Sequence, residues 1–352
     1  MTGSIRKRGN KWTIVFYLGK DENGKPKYKW KGGYRTKTEA RKALNIALAE
    51  AQTGNYIEVS KMPLGQYLNE WFEGYSVNLA PSTARGYRVN IQKHINPSLG
   101  FIRLCDLYPL QIQKFYNQKI KEGLSPTTVI YMHRVLHKAL KQAVKLRMIR
   151  FNPVEDMELP KKKQFKAQVL NEEQVKKMLN TAKKTSAYIP ILLAVGLGLR
   201  RGEVLGLMWE DIDFDRKVVS IDRSVVYEDR QLRIGDLKTR SSRRSILISD
   251  GIAQILKEHQ QKDSGFVVSN DDKPLSPATL DKQYKAVLKK AGLPNIRFHD
   301  LRHTNATLML KAGIHAKVAS QRLGHSTIGI TMDLYSHVMH DMQEEAAEIL
   351  DF

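Results

Sequence analysis

The sequence predicts an α+β protein in three parts. Residues 1–61 show the alternation of apolar and polar side chains that is typical of strands, followed by one helical stretch. Residues 62–158 follow a helical period, and residues 169–352 mix helical stretches with short strand-like runs. We therefore expect a small N-terminal β-sheet plus helix, an all-α bundle, and a mixed, mainly α domain with a small antiparallel sheet.

The composition indicates a soluble protein that binds a polyanion. The 352 residues include 41% hydrophobic ones, enough for cores in two or three domains. Lys and Arg number 58 against 36 Asp and Glu, which gives a formal net charge of +22. Nucleic acid is the polyanion that this surplus favours, and a basic surface kept only for solubility is the alternative.

Other features exclude several protein classes. Cys105 is the only cysteine, which excludes an intrachain disulfide and argues against a cysteine-based zinc site. No apolar run approaches the roughly 18 residues of a transmembrane helix. The basic N-terminus, MTGSIRKRGNKW, lacks the apolar core of a secretory signal. We expect a cytoplasmic protein with no membrane partner.

The first part, residues 1–61, predicts a sheet that could enter a DNA groove. Apolar positions alternate in WTIVFYLG, Asn23-Gly24 is a hairpin signal, and a helix runs from Thr38 to Gly54. Lysines that protect a sheet edge are the alternative interpretation. The candidate DNA-binding residues on or beside the strands are Arg6, Lys7, Arg8, Lys11, Lys27, Lys29 and Lys31.

The second part, residues 62–158, predicts four or five helices whose Tyr, Trp and Phe side chains form the core. A helix opens at Pro126 and stops before Asn152-Pro153. The linker, residues 159–168, carries Lys161, Lys162 and Lys163. It is either a plain solvated tether or a basic one that crosses a phosphate backbone.

Residues 169–352 contain polar groups where the surrounding pattern is apolar. Arg200 and Glu203 are three residues apart after an apolar run, and a half-buried Arg needs such a partner. His299 and Arg302 repeat this spacing, and His303 follows directly. A structural ion pair or a core histidine is the ordinary explanation for any one of these residues. Two such pairs in one domain indicate a functional site.

Further candidates come later in the chain. His325 ends a helix, Tyr335 follows ten residues later, and Lys238 lies between two strand-like runs. Taken singly, the tyrosine is a core residue and the lysine a turn residue. Together, these residues suit phosphoryl transfer. Arginines match the nonbridging oxygens, Lys or His protonates the leaving oxygen, and tyrosine provides an oxygen nucleophile.

Four motifs carry a family resemblance. In this order, GLGLRRGEVLGLMW, LKTRSSRR, FHDLRHTNATLML and RLGHSTIGITMDLYSHV resemble the catalytic domain of the tyrosine recombinase (phage integrase) family. The helical middle resembles the core-binding domain of that family. The basic N-terminal part resembles the arm-binding domain of integrases from temperate phages and integrative conjugative elements. The resemblance implies a site-specific recombinase that integrates and excises a mobile element or prophage.

The resemblance also implies a role for each residue. The catalytic residues are then Arg200, Lys238, His299, Arg302, His325 and Tyr335. The two arginines would clamp the scissile phosphate, and Lys238 would protonate the leaving 5′-hydroxyl. His299 would act as acid or base on the tyrosine, His325 would donate a hydrogen bond, and Tyr335 would form a 3′-phosphotyrosyl link. The supporting and remaining DNA-binding residues are Glu203, His303, Arg240 and Arg243.

The resemblance implies no cofactor and no metal. The implied partners are double-stranded DNA at core and arm sites, a homo-tetramer on that DNA, a host DNA-bending protein and an excisionase. The acidic C-terminal tail, residues 339–352, either packs on its own domain or docks on a neighbouring protomer. A type IB topoisomerase-like enzyme and a non-catalytic DNA-binding regulator are the alternative functions.

Overall fold

A computed structural model describes most of the chain. The described residues are 2–20, 23–53, 56–57, 59–162, 168–228, 231–236, 243–260, 262, 264–270, 273–325 and 327–335, without the side chains of 227, 228, 231, 236, 330 and 333–335. They form two compact units, residues 1–163 and 164–352, and each unit is described by itself.

The N-terminal unit begins with a three-stranded antiparallel sheet in the order β1-β2-β3, covered on one face by helix α1. Ile14 and Phe16 alternate along β2 and are fully buried against Ala40 and Leu44 of the helix. The predicted sheet plus helix is therefore confirmed. The elements are β1 (Gly3–Arg8), β2 (Lys11–Lys20), β3 (Pro26–Tyr34) and α1 (Lys37–Gln52).

A helical bundle completes this unit. Helix α6 is its centre: Val129, Met132 and Leu136 on one stripe are fully buried, as the helical period predicts. This helix ends at Lys145, before the predicted stop. The elements are α2 (Leu64–Ser76), α3 (Pro81–Asn90), a π-helical turn (Ile91–Ile95), α4 (Asn96–Leu99), a 3-10 turn (Leu104–Asp106), α5 (Pro109–Lys121) and α6 (Pro126–Lys145).

The C-terminal unit is mainly helical, as expected for its mixed pattern. Its core centres on the apolar run of α8, in which Ile191, Leu193 and Ala194 are fully buried. The helices are α7 (Glu172–Ala182), α8 (Tyr188–Gly196), α9 (Arg201–Gly206), α10 (Asp250–His259), α11 (Pro277–Lys290), α12 (Asp300–Lys311), α13 (Ala316–Leu323) and α14 (Ile328–Tyr335).

The expected antiparallel sheet is present in this unit, but its strands divide among three small sheets. β4 and β8 flank β5, and among the described residues the hairpin β6-β7 forms a separate two-stranded sheet. The strands are β4 (Ile212–Asp213), β5 (Val218–Ile221), β6 (Arg223–Glu228), β7 (Gln231–Asp236), β8 (Arg244–Leu247), β9 (Ser269–Asn270) and β10 (Lys273–Pro274); a 3-10 turn (Trp209–Asp211) precedes β4.

Across the described part of the chain, no helix has the length and apolar character that crossing a bilayer requires.

Candidate active site

The bend between α8 and α9 brings Arg200 towards the end of α13. Gly198 in this bend has a φ of +67°, and a Cβ atom there would collide with the side chains of Leu323 and Asn305. A left-handed backbone and so close an approach together require glycine. The GLGLRR motif therefore places Arg200 directly after a bend that packs against the α13 end.

A buried carboxylate holds Arg200 in place. Glu203, whose side chain is 1% exposed, accepts hydrogen bonds from the backbone N–H of Arg200 (3.0 Å) and from its Nη1 (2.7 Å). Arg244 Nη2 and Nη1 donate to the same carboxylate at 2.9 and 3.3 Å. Burial alone would raise the pKa of Glu203, but the hydrogen bond and charge of Arg244, followed by those of Arg200, lower it. The carboxylate is therefore ionised between two guanidinium groups.

The C-terminal end of α13 gathers three arginines, which we call the arginine cluster: Arg200, Arg244 and Arg302. Three consecutive carbonyl groups there each accept a hydrogen bond from a different member of the cluster. Such carbonyls have no intrahelical partner and carry the negative end of the helix dipole, which favours cationic donors. The pairs are Arg244 Nε with Arg322 O (2.8 Å), Arg302 Nη2 with Leu323 O (2.5 Å) and Arg200 Nη2 with Gly324 O (2.9 Å).

Arg302 is the most buried member of the cluster. The residue is 1% exposed, and its Nη1 donates to the Gly198 carbonyl at 2.7 Å. Burial, reinforced by the charge of Arg200, lowers the pKa of Arg302 to about 9, so the group stays cationic at neutral pH. The arginine cluster thus carries three positive charges against one carboxylate, that of Glu203, among the described residues. This imbalance favours an anionic ligand.

Two histidines near the cluster are neutral at physiological pH. Burial, then the charges of Arg302 and Arg200, lower the pKa of His325 to about 3. A hydrogen bond of 2.8 Å joins His325 Nδ1 to the hydroxyl of the buried Thr331. Burial, then His303 and Arg302, lower the pKa of His299 to about 4. A bound anion would raise both pKa values and so favour proton exchange at these rings.

The structure thus brings together most of the candidate catalytic residues that it describes. Arg200, Glu203, Arg302 and His325 meet at the α13 end. His299 and His303 lie at the start of α12, with ring centroids 5.1 Å apart. Two of the predicted catalytic side chains fall outside the description. Lys238 lies outside the described residues, and Tyr335 is the last residue of α14, with a side chain that is outside them too.

Arg244 is a site residue that the sequence reasoning passed over. Its side chain is 7% exposed and lies within the arginine cluster. A signal was available in the strand pattern, because alternation along β8 puts Arg244 on the same face as the buried Ile246. An arginine at an inward-facing position needs a buried partner, and Glu203 supplies it.

A cleft of about 910 Å³ opens beside this site. Arg200 and His299 line it, together with Arg201, Lys285 and Arg297. Arg201 is paired with Asp281 at 2.6 Å, and Arg297 is paired with Asp300 at 2.7 Å. The cleft therefore presents several cationic side chains around the candidate catalytic residues.

The basic residues of the N-terminal sheet divide between its two faces. Residues paired across neighbouring strands lie on the same face of the sheet. Lys7 pairs with Trp12 on the face that α1 covers, whereas Arg6 pairs with Thr13 on the open face. Arg6 and Arg8 lie over the ring of Trp30, at 5.2 and 4.7 Å from its centroid. The open face carries Arg6, Arg8 and Lys11, and the face towards α1 carries Lys7, Lys27, Lys29 and Lys31.

The other candidate DNA-binding residues are scattered. Lys161 and Lys162 are exposed at the end of the N-terminal unit, and Arg243 is exposed just before β8. Lys163 and Arg240 lie outside the described residues, as does the tail from residue 336 onwards.

Three family models match the chain in succession. The model described as the phage integrase family matches residues 168–342. The model of the phage integrase N-terminal SAM-like domain matches residues 64–120. An arm DNA-binding domain model matches residues 4–51.

Relatives match this chain along most of its length. A tyrosine recombinase XerC-like protein of Caldanaerobacter subterraneus subsp. tengcongensis is 29% identical over 99% of this chain and 98% of its own length. The ICEBs1 integrase of Bacillus subtilis is 26% identical over 78% of this chain and 79% of its own length.

Solved structures have the same fold. The Tn1549 transposon integrase, in complex with transposon right end DNA, gives a TM-score of 0.72 at 21% identity, covering 83% of this chain and 100% of that one. A lambda integrase tetramer bound to a Holliday junction gives a TM-score of 0.60 at 20% identity, covering 94% of each chain. This similarity confirms the α+β fold class.

Proposed function

The chain belongs to the phage integrase family of tyrosine recombinases, and from this premise we propose that it is a site-specific DNA recombinase. It cleaves and rejoins strands at attachment sites and so integrates and excises a mobile element. The observation that carries this proposal is the arginine cluster, in which the described residues gather three guanidinium groups at the α13 end around the carboxylate of Glu203. A DNA phosphate that enters beside Arg200 and Arg302 is attracted by these fixed positive charges.

Strand cleavage is a transesterification. The Tyr335 hydroxyl oxygen attacks the scissile phosphorus, the bond from phosphorus to the 5′ oxygen breaks, and a 3′-phosphotyrosyl ester and a free 5′-hydroxyl result. Rejoining reverses these steps with a 5′-hydroxyl from the partner strand. One ester replaces another, so no nucleotide hydrolysis is required.

The site residues divide the work of this reaction. A guanidinium has five N–H donors, and the two hydrogen bonds described for each of Arg200 and Arg302 leave donors for the nonbridging phosphate oxygens. Their fixed charge stabilises the transition state without reorganisation. Neutral His299 takes the tyrosine proton as general base, and Lys238 protonates the leaving oxygen. His325, with Nδ1 engaged by Thr331, presents Nε2 to the phosphate.

We assign the N-terminal sheet to binding of a separate, arm-type DNA site. Trp30 on the open face holds Arg6 and Arg8 in place, and rigid arginines are suited to phosphate and base-edge contacts. Residues 62–158 and 169–352 then bind the core site, with the segment 159–168 as the basic linker. Binding two sites at once raises the effective concentration of the second contact.

The assembly on DNA is proposed to be a homo-tetramer with the acidic tail of one protomer docked on the next. The tetramer of lambda integrase on a Holliday junction is a precedent in a protein of the same fold. A host DNA-bending protein and an excisionase are the proposed accessory partners.

The proposed function predicts recombination between two plasmids that each carry one attachment site. Sequencing of the junctions between the element and its chromosome identifies these sites. With host extract to supply bending proteins, and with EDTA and no ATP, the chain is expected to join the plasmids, as read by amplification across the new junctions. Because its cleavage is site-specific, a supercoiled plasmid without an attachment site should stay supercoiled. Relaxation of that plasmid would indicate a topoisomerase, and binding without cleavage would indicate a regulator.

The arm assignment predicts a selective effect of charge reversal on the open sheet face. Arg6→Glu with Arg8→Glu should weaken binding to an arm-site duplex by about tenfold or more, because two phosphate contacts become repulsive. Core-site cleavage should not change. Arg41→Glu with Lys42→Glu, on the exposed surface of α1, is the matched control. Equal losses from both pairs in a gel-shift titration would contradict the assignment.

A further inference from the structure

Arg244 has a structural role that the phosphate clamp does not account for. It is the first residue of β8, and its guanidinium joins two other parts of the unit. Its Nη2 and Nη1 bind the Glu203 carboxylate in α9, and its Nε binds the Arg322 carbonyl at the end of α13. One planar side chain thus fixes β8, α9 and α13 relative to one another.

We propose that Arg244 is a positioning residue for strand cleavage: it holds Glu203 and the last turn of α13, so that Arg200 and His325 meet the scissile phosphate. The inference rests on the proposed recombinase function. The first connection runs through Glu203, which holds both the backbone and the guanidinium of Arg200. The second runs through Arg322 in the last turn of α13, which ends two residues before His325.

Exposure separates this role from direct contact with DNA. The side chain of Arg200 is 35% exposed and lines the cleft, whereas that of Arg244 is 7% exposed. Arg244 spends donors from all three guanidinium nitrogens on Glu203 and Arg322. A phosphate in the cleft therefore meets Arg200, and the effect of Arg244 reaches it through other groups.

The geometry requires arginine at this position. The planar guanidinium of Arg244 donates hydrogen bonds from Nη1 and Nη2 to the two oxygens of Glu203 and from Nε to the Arg322 carbonyl. A lysine ammonium would keep the charge beside Glu203 but could not span the three acceptors. Without any cation at position 244, Glu203 would lose two of the hydrogen bonds that the described residues donate to its buried carboxylate, and the Arg322 carbonyl would lose the hydrogen bond from Arg244 Nε.

The test measures cleavage of a nicked attachment-site duplex by the full chain under single-turnover conditions. The nick traps the covalent product. Arg244→Ala should lower the cleavage rate constant at saturating protein by roughly 10- to 100-fold, because small misplacements of reacting groups cost this much. The Kd for the duplex should change by less than about threefold, since the many DNA contacts made by other residues persist. Arg244→Lys should recover part of the rate, and Arg216→Ala, at a side chain that is 84% exposed, is the control.

A double-mutant cycle with Glu203→Gln identifies the route of the effect. If Arg244 acts through Glu203, the double variant should cleave the duplex with a smaller loss in rate constant than the product of the two single losses predicts. Multiplicative effects, a loss in Kd as large as the loss in rate, or a wild-type rate for Arg244→Ala would overturn the proposal. If Arg244→Ala does not fold, Arg244→Lys and the double variant, which removes both charges, carry the same comparison. Failure of the wild-type chain to form any adduct would refute the recombinase function instead.

Discussion

A Tyr335→Phe variant is expected to bind the attachment-site duplex with the affinity of the parent chain and to form no covalent protein–DNA product. The substitution removes one oxygen and keeps the ring, so packing and charge are retained while the nucleophile is lost. The measurement is capture on a nicked duplex, in which the freed strand end diffuses away and the phosphotyrosyl product accumulates. Denaturing electrophoresis then separates covalent from non-covalent complexes.

The matched control is Tyr188→Phe, which removes the hydroxyl of a half-buried tyrosine at the start of α8 in the same unit. That variant should form the adduct at the parental rate, because its hydroxyl lies in a helix that supplies no proposed catalytic group. An adduct retained by Tyr335→Phe would assign the nucleophile to another residue. Loss of DNA binding by Tyr335→Phe would instead mean that the hydroxyl serves binding.

The fold class and the main catalytic candidates were accessible from the sequence, for physical reasons. A polar pair in an apolar helical run must find partners, and this predicted that Arg200 and Glu203 belong together. Their observed contact is local, three residues apart. The same argument applied to Arg302, where the polar residue lies among apolar neighbours in α12.

The arrangement at the α13 end was not accessible in this way. Its acceptors are backbone carbonyls, which have no signature in the side-chain pattern. The hydrogen bonds of Arg200, Arg244 and Arg302 to that helix end span 124, 78 and 21 residues of sequence. Only the tertiary fold brings such partners together, so the shared role of the three arginines emerged from the structure.

The division of the basic residues between two sheet faces had a similar cause. A strand period of two places Arg6 and Lys7 on opposite faces of the sheet, but the period alone does not say which face α1 covers. The buried pair Ile14 and Phe16 settles this choice in the structure. Composition alone indicated a basic surface. The cross-strand pairing shows that three of the seven candidate DNA-binding residues of this sheet lie on its open face.

Arg302 carries the second large expected effect. Arg302→Ala and Arg302→Lys should each lower the cleavage rate constant on the nicked duplex by about 10²- to 10³-fold, the range seen when one preorganised transition-state donor is removed. In the transition state, charge grows on the nonbridging oxygens, and only a rigid fork can serve them while it also binds the Gly198 and Leu323 carbonyls. Lysine keeps the charge but lacks this geometry, so it should restore little.

The comparison of the two variants separates charge from geometry at Arg302. Arg302→Ala removes a fully buried side chain and leaves a cavity, so its folding must be checked by thermal unfolding. Arg302→Lys keeps most of the volume, and a large rate loss in a folded Lys variant identifies the missing hydrogen bonds as the cause. Arg216→Lys, made at an exposed arginine of the same unit, should cleave at the parental rate. Near-parental cleavage by either Arg302 variant would mean that the buried guanidinium stabilises the bend at Gly198 and does not clamp the phosphate.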